Sequence, residues 1–262
     1  MNVDRSTHAA RERRPVEEAL DQLPALRAYA ALLFTRLKQI APIADGAAVL
    51  DVGAGTGGFM IACRELGYDC RGVEPWDEAR ATARELAARL GVRLDLHSGT
   101  AEDLPFAGES FNIVHANSVM EHVADVDRAF SEAYRVLRPG GVLWFYTASS
   151  LCPSQGEIEG FPLFGWYPDA IKRKIMLWAK ETRPELVGFT EAPALNWFTP
   201  HRARRIVRRH GFGPIYDRWD LRTPHEGGTL YRLALSAIRA SPAGRLMADM
   251  IVPDCAYAAI KE

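Results

Sequence analysis

The spacing of apolar residues predicts most of the chain. Leu26, Ala30, Leu33, Leu37 and Ile40 recur at helical intervals, with Pro24 expected in the first turn of that helix. Asp45-Gly46 turns the chain into a short apolar run, Ala47 to Val52, of the kind a buried parallel strand shows. Strand and helix signals then alternate. Cys70–Glu74 and Val92–Leu96 read as strands. Between them Ala79, Ala83, Leu86 and Leu90 mark one helical face that Gly91 stops. Phe111–Ala116 reads as a buried strand. Val123, Val126, Phe130, Ala133 and Leu137 form another helical stripe, broken by Pro139-Gly140-Gly141 ahead of a strand over Val142–Thr147. Such alternation implies right-handed crossovers and a parallel sheet covered on both faces.

After Ser150 the pattern changes. Residues 151–200 are rich in Pro, Gly and aromatics, with one helix predicted from Pro168 to about Lys180. Thr199-Pro200 reads as a cap and first-turn proline for a helix that ends at His210-Gly211. A strand over Ile215–Leu221, helical sequence over roughly 227–250 and a last strand over Cys255–Lys261 complete the reading. The expected fold class is α/β: a Rossmann-like, mostly parallel sheet of about seven strands, with helices on both faces and helical substrate-side insertions. The expected division is an N-terminal helical cap (1–44, its first 14 residues a polar arm), a nucleoside-binding core (45–150), a substrate lid (151–200) and a C-terminal completion of the sheet (201–262) carrying a helical insertion at 224–250.

Composition narrows the function classes. Of 262 residues, 48% are hydrophobic and 25% charged, as in ordinary globular proteins. The formal net charge of -1 supplies no basic field to gather nucleic acid. No apolar run approaches the roughly 20 residues of a membrane span, and the N-terminus lacks the apolar core of a secretion signal. The four cysteines are scattered without a CxxC pair, so neither a disulfide framework nor a zinc or other metal site is expected. A cytoplasmic protein is the expectation. Peripheral membrane contact is left open, as is oligomeric state.

The chemistry centres on Gly53-Ala54-Gly55-Thr56-Gly57-Gly58, which follows a strand and opens a helix. Glycines let the backbone turn sharply and approach a ligand, and a helix N-terminus offers N–H groups to a carboxylate or phosphate. Glu74 ends the next strand, where an acid can bind both hydroxyls of a ribose. Gly53, Gly55 and Gly58 also satisfy the dinucleotide pattern, so an NAD-dependent oxidoreductase competes. Asp51 argues the other way: an acid just before the loop repels pyrophosphate and welcomes an ammonium group. A non-catalytic nucleoside-binding protein is a third reading.

Four stretches, in order, resemble the class I S-adenosylmethionine-dependent methyltransferases: Leu50 to Gly57, Gly72-Val73-Glu74-Pro75-Trp76, Ala101 to Phe106 running into Ser110 to Val114, and Tyr134 to Gly141. The resemblance covers residues 48–148 and implies S-adenosyl-L-methionine as cofactor and S-adenosyl-L-homocysteine as product. It implies that Gly53, Ala54, Gly55 and Gly57 lie under the methionyl part, with Asp51 and the Asn117 carbonyl holding its amine. Glu74 would take the ribose, while Pro75, Trp76, Ala101 and Glu102 border the adenine. Thr100 stands where relatives often carry Asp; the resemblance leaves its hydroxyl, or Glu102 or Asp103 in compensation, to meet the adenine amine.

Methyl transfer is an in-line displacement that needs alignment and exclusion of water, and a base where the acceptor arrives as a hydroxyl. His122 lies just past the fourth strand, at the edge where open sheets bind ligands; it is a base candidate or a cofactor-pocket residue. His201, at a helix start that disfavours a charged imidazole, is the second. Glu121 is expected to be exposed or capping. In the lid, Trp166, Tyr167 and Trp197 are candidates for the acceptor pocket. The helix after Pro168 is expected to pack Ile171, Ile175 and Trp178 inward with Lys and Arg solvated opposite. The arginines from 202 to 209 read as a solvated face rather than an RNA site. The predicted activity is methyl transfer to a small molecule, an oxygen of a sugar, lipid-linked or natural-product acceptor.

Overall fold

The computed structural model describes residues 15–154, 156–187 and 192–262; the polar arm expected at 1–14 lies outside them. In chain order the elements are α1 (Pro15–Leu37), β1 (Ala48–Val52), α2 (Gly58–Glu65), β2 (Asp69–Val73), α3 (Asp77–Arg89), β3 (Asp95–His97), β4 (Phe111–Asn117), α4 (Val126–Val136) and β5 (Leu137–Ala148). They continue as α5 (Asp169–Thr182), α6 (Pro200–Arg209), β6 (Phe212–Asp217), α7 (Arg218–Leu221), α8 (Thr229–Ala240), α9 (Pro242–Ile251) and β7 (Asp254–Lys261). Short 3-10 turns lie at Phe164–Trp166, Pro184–Val187 and Pro224–Glu226. The seven strands form one sheet in the order β3-β2-β1-β4-β5-β7-β6. All neighbours are parallel except β7, which runs antiparallel to both β5 and β6.

Alternation along the central strands builds two cores. Leu50 and Val52 of β1, Val114 and Ala116 of β4, and Leu143 and Phe145 of β5 face one side, where they meet Phe130 of α4 and Ile206 of α6. Val49, Ile113, Val142 and Trp144 face the other, against Leu33, Phe34 and Leu37 of α1 and Phe59 and Met60 of α2. Side chains at successive strand positions point to opposite faces, so a strand covered on both sides is apolar throughout.

Several boundaries differ from the sequence expectation. The first helix begins at Pro15 and runs through Pro24. A mid-helix proline costs about 3 kcal/mol. The added turns bury Val16, Ala19 and Leu23 against Ile61 and Leu86, and a fully buried Val or Leu returns about 1.5–3 kcal/mol each. Leu137 belongs to β5 rather than to the preceding helix, whose start is capped by the Asp125 side chain accepting from the Arg128 N–H. The strand expected over Ile215–Leu221 starts earlier and stops at Asp217, which caps α7 in a reciprocal box with Asp220. Ser241-Pro242 splits the last helical stretch in two. Thr199 caps α6 as expected, accepting from the Arg202 N–H at 3.1 Å.

Helix α5 is rotated by about one residue from expectation: Ile175 packs inward and Arg173 and Lys174 are exposed as expected. Lys172, Met176 and Ala179 face inward, while Ile171 and Trp178 are about half exposed (48% and 46%). Lys172 tolerates burial because its ammonium has partners: Asp169 at 2.9 Å and the Trp197 ring at 4.3 Å. Pairing is what makes a buried cation admissible.

Candidate functional site

The site lies where the sheet order reverses, between β1 and β4, at the carboxyl ends of the strands. Open α/β sheets bind ligands at this crevice. Gly53, Glu74 and Ser118 emerge there side by side, because Val52 pairs with both Val73 and Ala116. They line a cavity of about 500 Å3 with Pro75, Trp76, Thr100, Ala101, Glu102 and His122.

The glycine loop is held by its own hydrogen bonds. Gly53 and Ala54 N–H both donate to the Val73 carbonyl, at 2.8 and 3.0 Å. Gly55 N–H donates to Glu74 Oε2 at 2.9 Å, and Trp76 N–H donates to Oε1 at 3.0 Å. Arg80 fixes the Glu74 backbone by donating to its carbonyl at 2.6 Å. Gly53 has φ +69°, and a Cβ there would come within 2.6 Å of Val119 Cγ2. Gly57 has φ +76°, and its Cβ would meet Leu94 and Ala83 at 2.8 and 3.2 Å. Both the backbone angle and the available space therefore call for glycine.

Glu74 is a buried carboxylate with a ligand-facing capacity. An ionised carboxyl offers about four lone-pair sites. Two are engaged by the N–H groups of Gly55 and Trp76, and the residue lines the cavity. A ribose can use the remainder. Trp76 is 46% exposed, which leaves ring surface free beside Thr100 and Ala101 for a flat heterocycle. The donor set therefore fits a nucleoside. The Glu102 carboxylate accepts from the N–H of Ala124 at 2.8 Å and of Asp125 at 3.3 Å, and so braces the approach to α4.

Other predicted residues lie outside this cavity wall. Asp51 is buried on β1, where Oδ1 sits 2.8 Å from His115 Nδ1. Ala54, Gly55 and Gly57 form the body of the loop rather than the cavity lining, and Asn117 is exposed at the end of β4. Trp166, Tyr167 and Trp197 come together around a separate cavity of about 490 Å3, with Asp169, Lys172 and Arg202. His201 is exposed on the first turn of α6 and lines neither cavity.

His122 stands between two spaces. It lines the 500 Å3 cavity and also a smaller chamber of about 260 Å3 beside α5 and the turn at Pro184–Val187. Its ring hydrogen bonds to the backbone of Ala192 and Pro193, and its Nδ1 is buried without a partner. Burial holds the imidazole below its ordinary value, the backbone bonds opposing. Nδ1 of a neutral ring held this way is a lone-pair acceptor.

Sequence reasoning misplaces or misses three neighbours. Glu121 is 5% exposed, not a surface or capping residue; burial pushes its carboxyl up to about 7, against the Thr147 hydroxyl that donates to it at 2.8 Å. His115 is legible as a polar residue within the run Ile113–Ala116 of a buried strand. Glu157, in the chamber with His122, carries no signal in its sequence surroundings. The arginines of α6 are largely engaged: Arg202 with Asp169 at 3.1 Å, Arg204 with Asp217 at 2.8 Å, and Arg209 with Asp127.

The four cysteines are buried and none forms a disulfide. Among the described residues no cluster of three or more His, Cys, Asp or Glu is arranged to hold a metal, and no helix is long and apolar enough to cross a membrane.

Comparison with known proteins follows the same lines. Residues 50–145 match the family described as "Methyltransferase domain". A ubiquinone biosynthesis O-methyltransferase of Sinorhizobium medicae is 39% identical over 185 residues, 68% of each chain. Among solved structures, an S-adenosylmethionine-dependent methyltransferase of Mesorhizobium loti has a TM-score of 0.58 at 20% identity, over 92% of this chain and 97% of that one. Phosphoethanolamine N-methyltransferase 2 of Haemonchus contortus, in complex with S-adenosyl-L-methionine, has a TM-score of 0.55 at 20% identity, over 87% of this chain and 51% of that one. At such identities the structures speak for the fold, while the Sinorhizobium relative speaks for the family. The oxidoreductase reading of the glycine loop gives way accordingly: the chain belongs to the class I S-adenosylmethionine-dependent methyltransferases.

Proposed function

We propose that the chain transfers a methyl group to an oxygen of a small-molecule acceptor, with residues 45–150 holding the cofactor and residues 151–200 covering the acceptor. The observation that carries this reading is the position of His122, which is shared by the nucleoside-sized cavity and the lid chamber and leaves Nδ1 unpartnered. An oxygen acceptor arrives protonated and needs a base, whereas an amine in its neutral form already carries a free lone pair. The Sinorhizobium relative is an O-methyltransferase by name, which supports oxygen. Its ubiquinone-pathway acceptor is the first candidate class for this chain.

The cofactor, when bound, supplies an electrophilic methyl on a sulfonium. Glu74 takes the ribose hydroxyls. Trp76, Pro75, Thr100, Ala101 and Glu102 enclose the adenine. The loop from Gly53 to Gly57, with Asn117, carries the methionyl end, and Asp51, held by His115, supports that loop from β1. His122 receives the acceptor's proton. Closing such a site to water and fixing the reactants in line supply several kcal/mol of barrier lowering.

The test is incubation with methyl-labelled S-adenosyl-L-methionine and a panel of hydroxyl and amine acceptors, with calorimetry of S-adenosyl-L-homocysteine alongside. A labelled ether, lost in His122→Ala with homocysteine-nucleoside affinity retained, is the expected result. Labelled amines in place of ethers overturn the oxygen assignment.

A further inference from the structure

Helices α8 and α9 make a hairpin between β6 and β7, and its two sides are inverted. A helix on the surface of a globular protein turns its apolar stripe inward and its charges outward. In this hairpin the charged residues turn inward. Arg239 donates to the backbone carbonyls of Trp219, Asp220 and Arg222. Arg245 bonds to Asp217 at 2.8 Å and to Asp220 at 2.7 Å. Asp249 accepts from Trp219 Nε1 at 2.7 Å. At the base of the hairpin, Glu226 is held by Arg36 of α1 at 2.6 Å. The hairpin is thus fastened to the body of the chain by its polar side.

Its apolar residues turn outward. Among the described residues of the two helices, only Leu235 is buried. Leu230 and Leu233 of α8, and Leu246, Met247, Met250 and Ile251 of α9, are 39% to 84% exposed. Residues three and four apart share a helix face, so these six fall on one stripe of each helix. Ala234, Ala237 and Ala243 continue the stripes and are also exposed. The two helices therefore bury little on their own chain and leave a contiguous apolar face open.

We propose that this face is a homodimer interface, with α8 and α9 of one copy packed on α8 and α9 of a second copy of the chain. The area is sufficient. At roughly 190 Å2 for each whole residue, the six exposures leave about 700 Å2 open, close to the ~800 Å2 that each partner buries in a stable interface. The face is also complementary to itself. A two-fold interface sets one patch against its own copy, so a free charge at its centre meets its like. The stripes carry no ionisable residue. The fourth charged residue of the hairpin, Arg232, donates to the Pro224 carbonyl, and the other three are bonded as described. The exposed alanines let the helices of two copies approach closely.

A bilayer surface is the poorer occupant. Helices that lie on membranes pair an apolar face with Lys and Arg that reach anionic headgroups. Residues 224–253 contain no lysine, and their three arginines are bonded within the chain. None of the six exposed side chains lines the cavities described above, so changes to this face leave the cofactor wall intact.

The experiment is sedimentation velocity and light scattering of the full-length protein across the micromolar range, with S-adenosyl-L-homocysteine calorimetry as the test of folding. The wild-type chain is expected to dimerise reversibly. In Leu233→Glu combined with Met247→Glu, the dissociation constant rises at least 100-fold while homocysteine-nucleoside affinity is unchanged. Leu233→Lys combined with Met247→Lys behaves the same way alone, and the two variants mixed in equal amounts recover a mixed dimer. Leu66→Glu, at an exposed leucine after α2, leaves the dimer as it is. Pelleting with phosphatidylglycerol vesicles forms the second arm. A wild-type chain that stays monomeric overturns the proposal, and vesicle binding lost in the Glu pair then assigns the face to a bilayer. A dimer that survives the Glu pair, or Glu and Lys pairs that fail to associate when mixed, overturns it as well.

Discussion

His115 Nδ1 lies 2.8 Å from Asp51 Oδ1, and both residues are buried, on adjacent strands directly before the cofactor-side edge of the sheet. The contact does not end there. His115 Nε2 is 3.0 Å from the Tyr29 hydroxyl of α1, which accepts from Trp144 Nε1 at 3.0 Å. The Phe59 ring stacks on the imidazole at 3.8 Å between centroids. The N-terminal helix is thus joined by a polar chain to the acid that precedes the glycine loop.

Breaking that chain at its centre has a defined cost. In His115→Leu the Asp51 carboxylate and the Tyr29 hydroxyl lose a partner inside the core, and an orphaned buried polar group costs about 1–3 kcal/mol. A loss of about 3 kcal/mol is expected for the variant, seen as a lower urea midpoint at unchanged slope. A midpoint equal to wild type would show that water replaces the imidazole without loss. Tyr29→Phe leaves His115 Nε2 and Trp144 Nε1 without their shared partner and is expected to cost a comparable amount, about 3 kcal/mol.

Glu74 offers a test of the cofactor wall. Its carboxylate restrains the loop through Gly55 N–H and the start of α3 through Trp76 N–H. Glu74→Ala removes both restraints along with the proposed ribose contact. Hydrogen bonds to a charged group contribute about 1.5–3 kcal/mol each, so S-adenosyl-L-homocysteine affinity is expected to fall on the order of 100-fold by calorimetry. Unchanged affinity removes Glu74 from the site. Glu74→Gln keeps one acceptor oxygen and is expected to fall between the two.

The sequence displays the sheet and the glycine turn because both depend on local rules. A buried parallel strand reads as an apolar run wherever it sits, and Thr199-Pro200 caps a helix whatever it packs on. What it hides depends on contacts between distant segments. The Asp169 partner of Lys172 is local, three residues away, but nothing nearby reveals the Trp197 ring over its ammonium, and so periodicity alone sets the face of α5 one residue off. Nothing near Glu157 reveals that α5 and the turn at Leu186 close a chamber over it and His122. The wall of the larger cavity is legible because its residues follow successive strands at a fixed edge. The chamber beside it is not, because an irregular segment folds back to build it.

Gly53→Ala separates two demands on one residue. The added methyl meets Val119 Cγ2 at 2.6 Å, and φ +69° is a left-handed angle that costs an L-residue roughly 1–2 kcal/mol. The variant is expected to lose both stability and cofactor affinity. Combining it with Val119→Ala removes the collision but leaves the backbone angle. Partial recovery of the thermal midpoint, short of the Val119→Ala value, is therefore expected. Full recovery would mean that the angle carries no cost at this position.

The buried Glu121 makes stability depend on pH in an identifiable window. Its carboxyl is pushed from 4.5 to about 7 in the folded chain, chiefly by burial. The folded state therefore holds this proton more tightly than the unfolded state, and between those two values it binds more protons. Stability then falls as pH rises, beginning near the unfolded value and levelling off above the folded one. At about 1.4 kcal/mol per pH unit the loss is on the order of 3 kcal/mol by pH 8. Glu121→Gln keeps a polar group against the Thr147 hydroxyl but cannot ionise. Relative to wild type, it is expected to gain stability steadily between pH 5 and pH 7.5, measured as urea midpoints across the range. A difference between the two proteins that stays constant over that range would show that Glu121 is not the group whose ionisation weakens the fold.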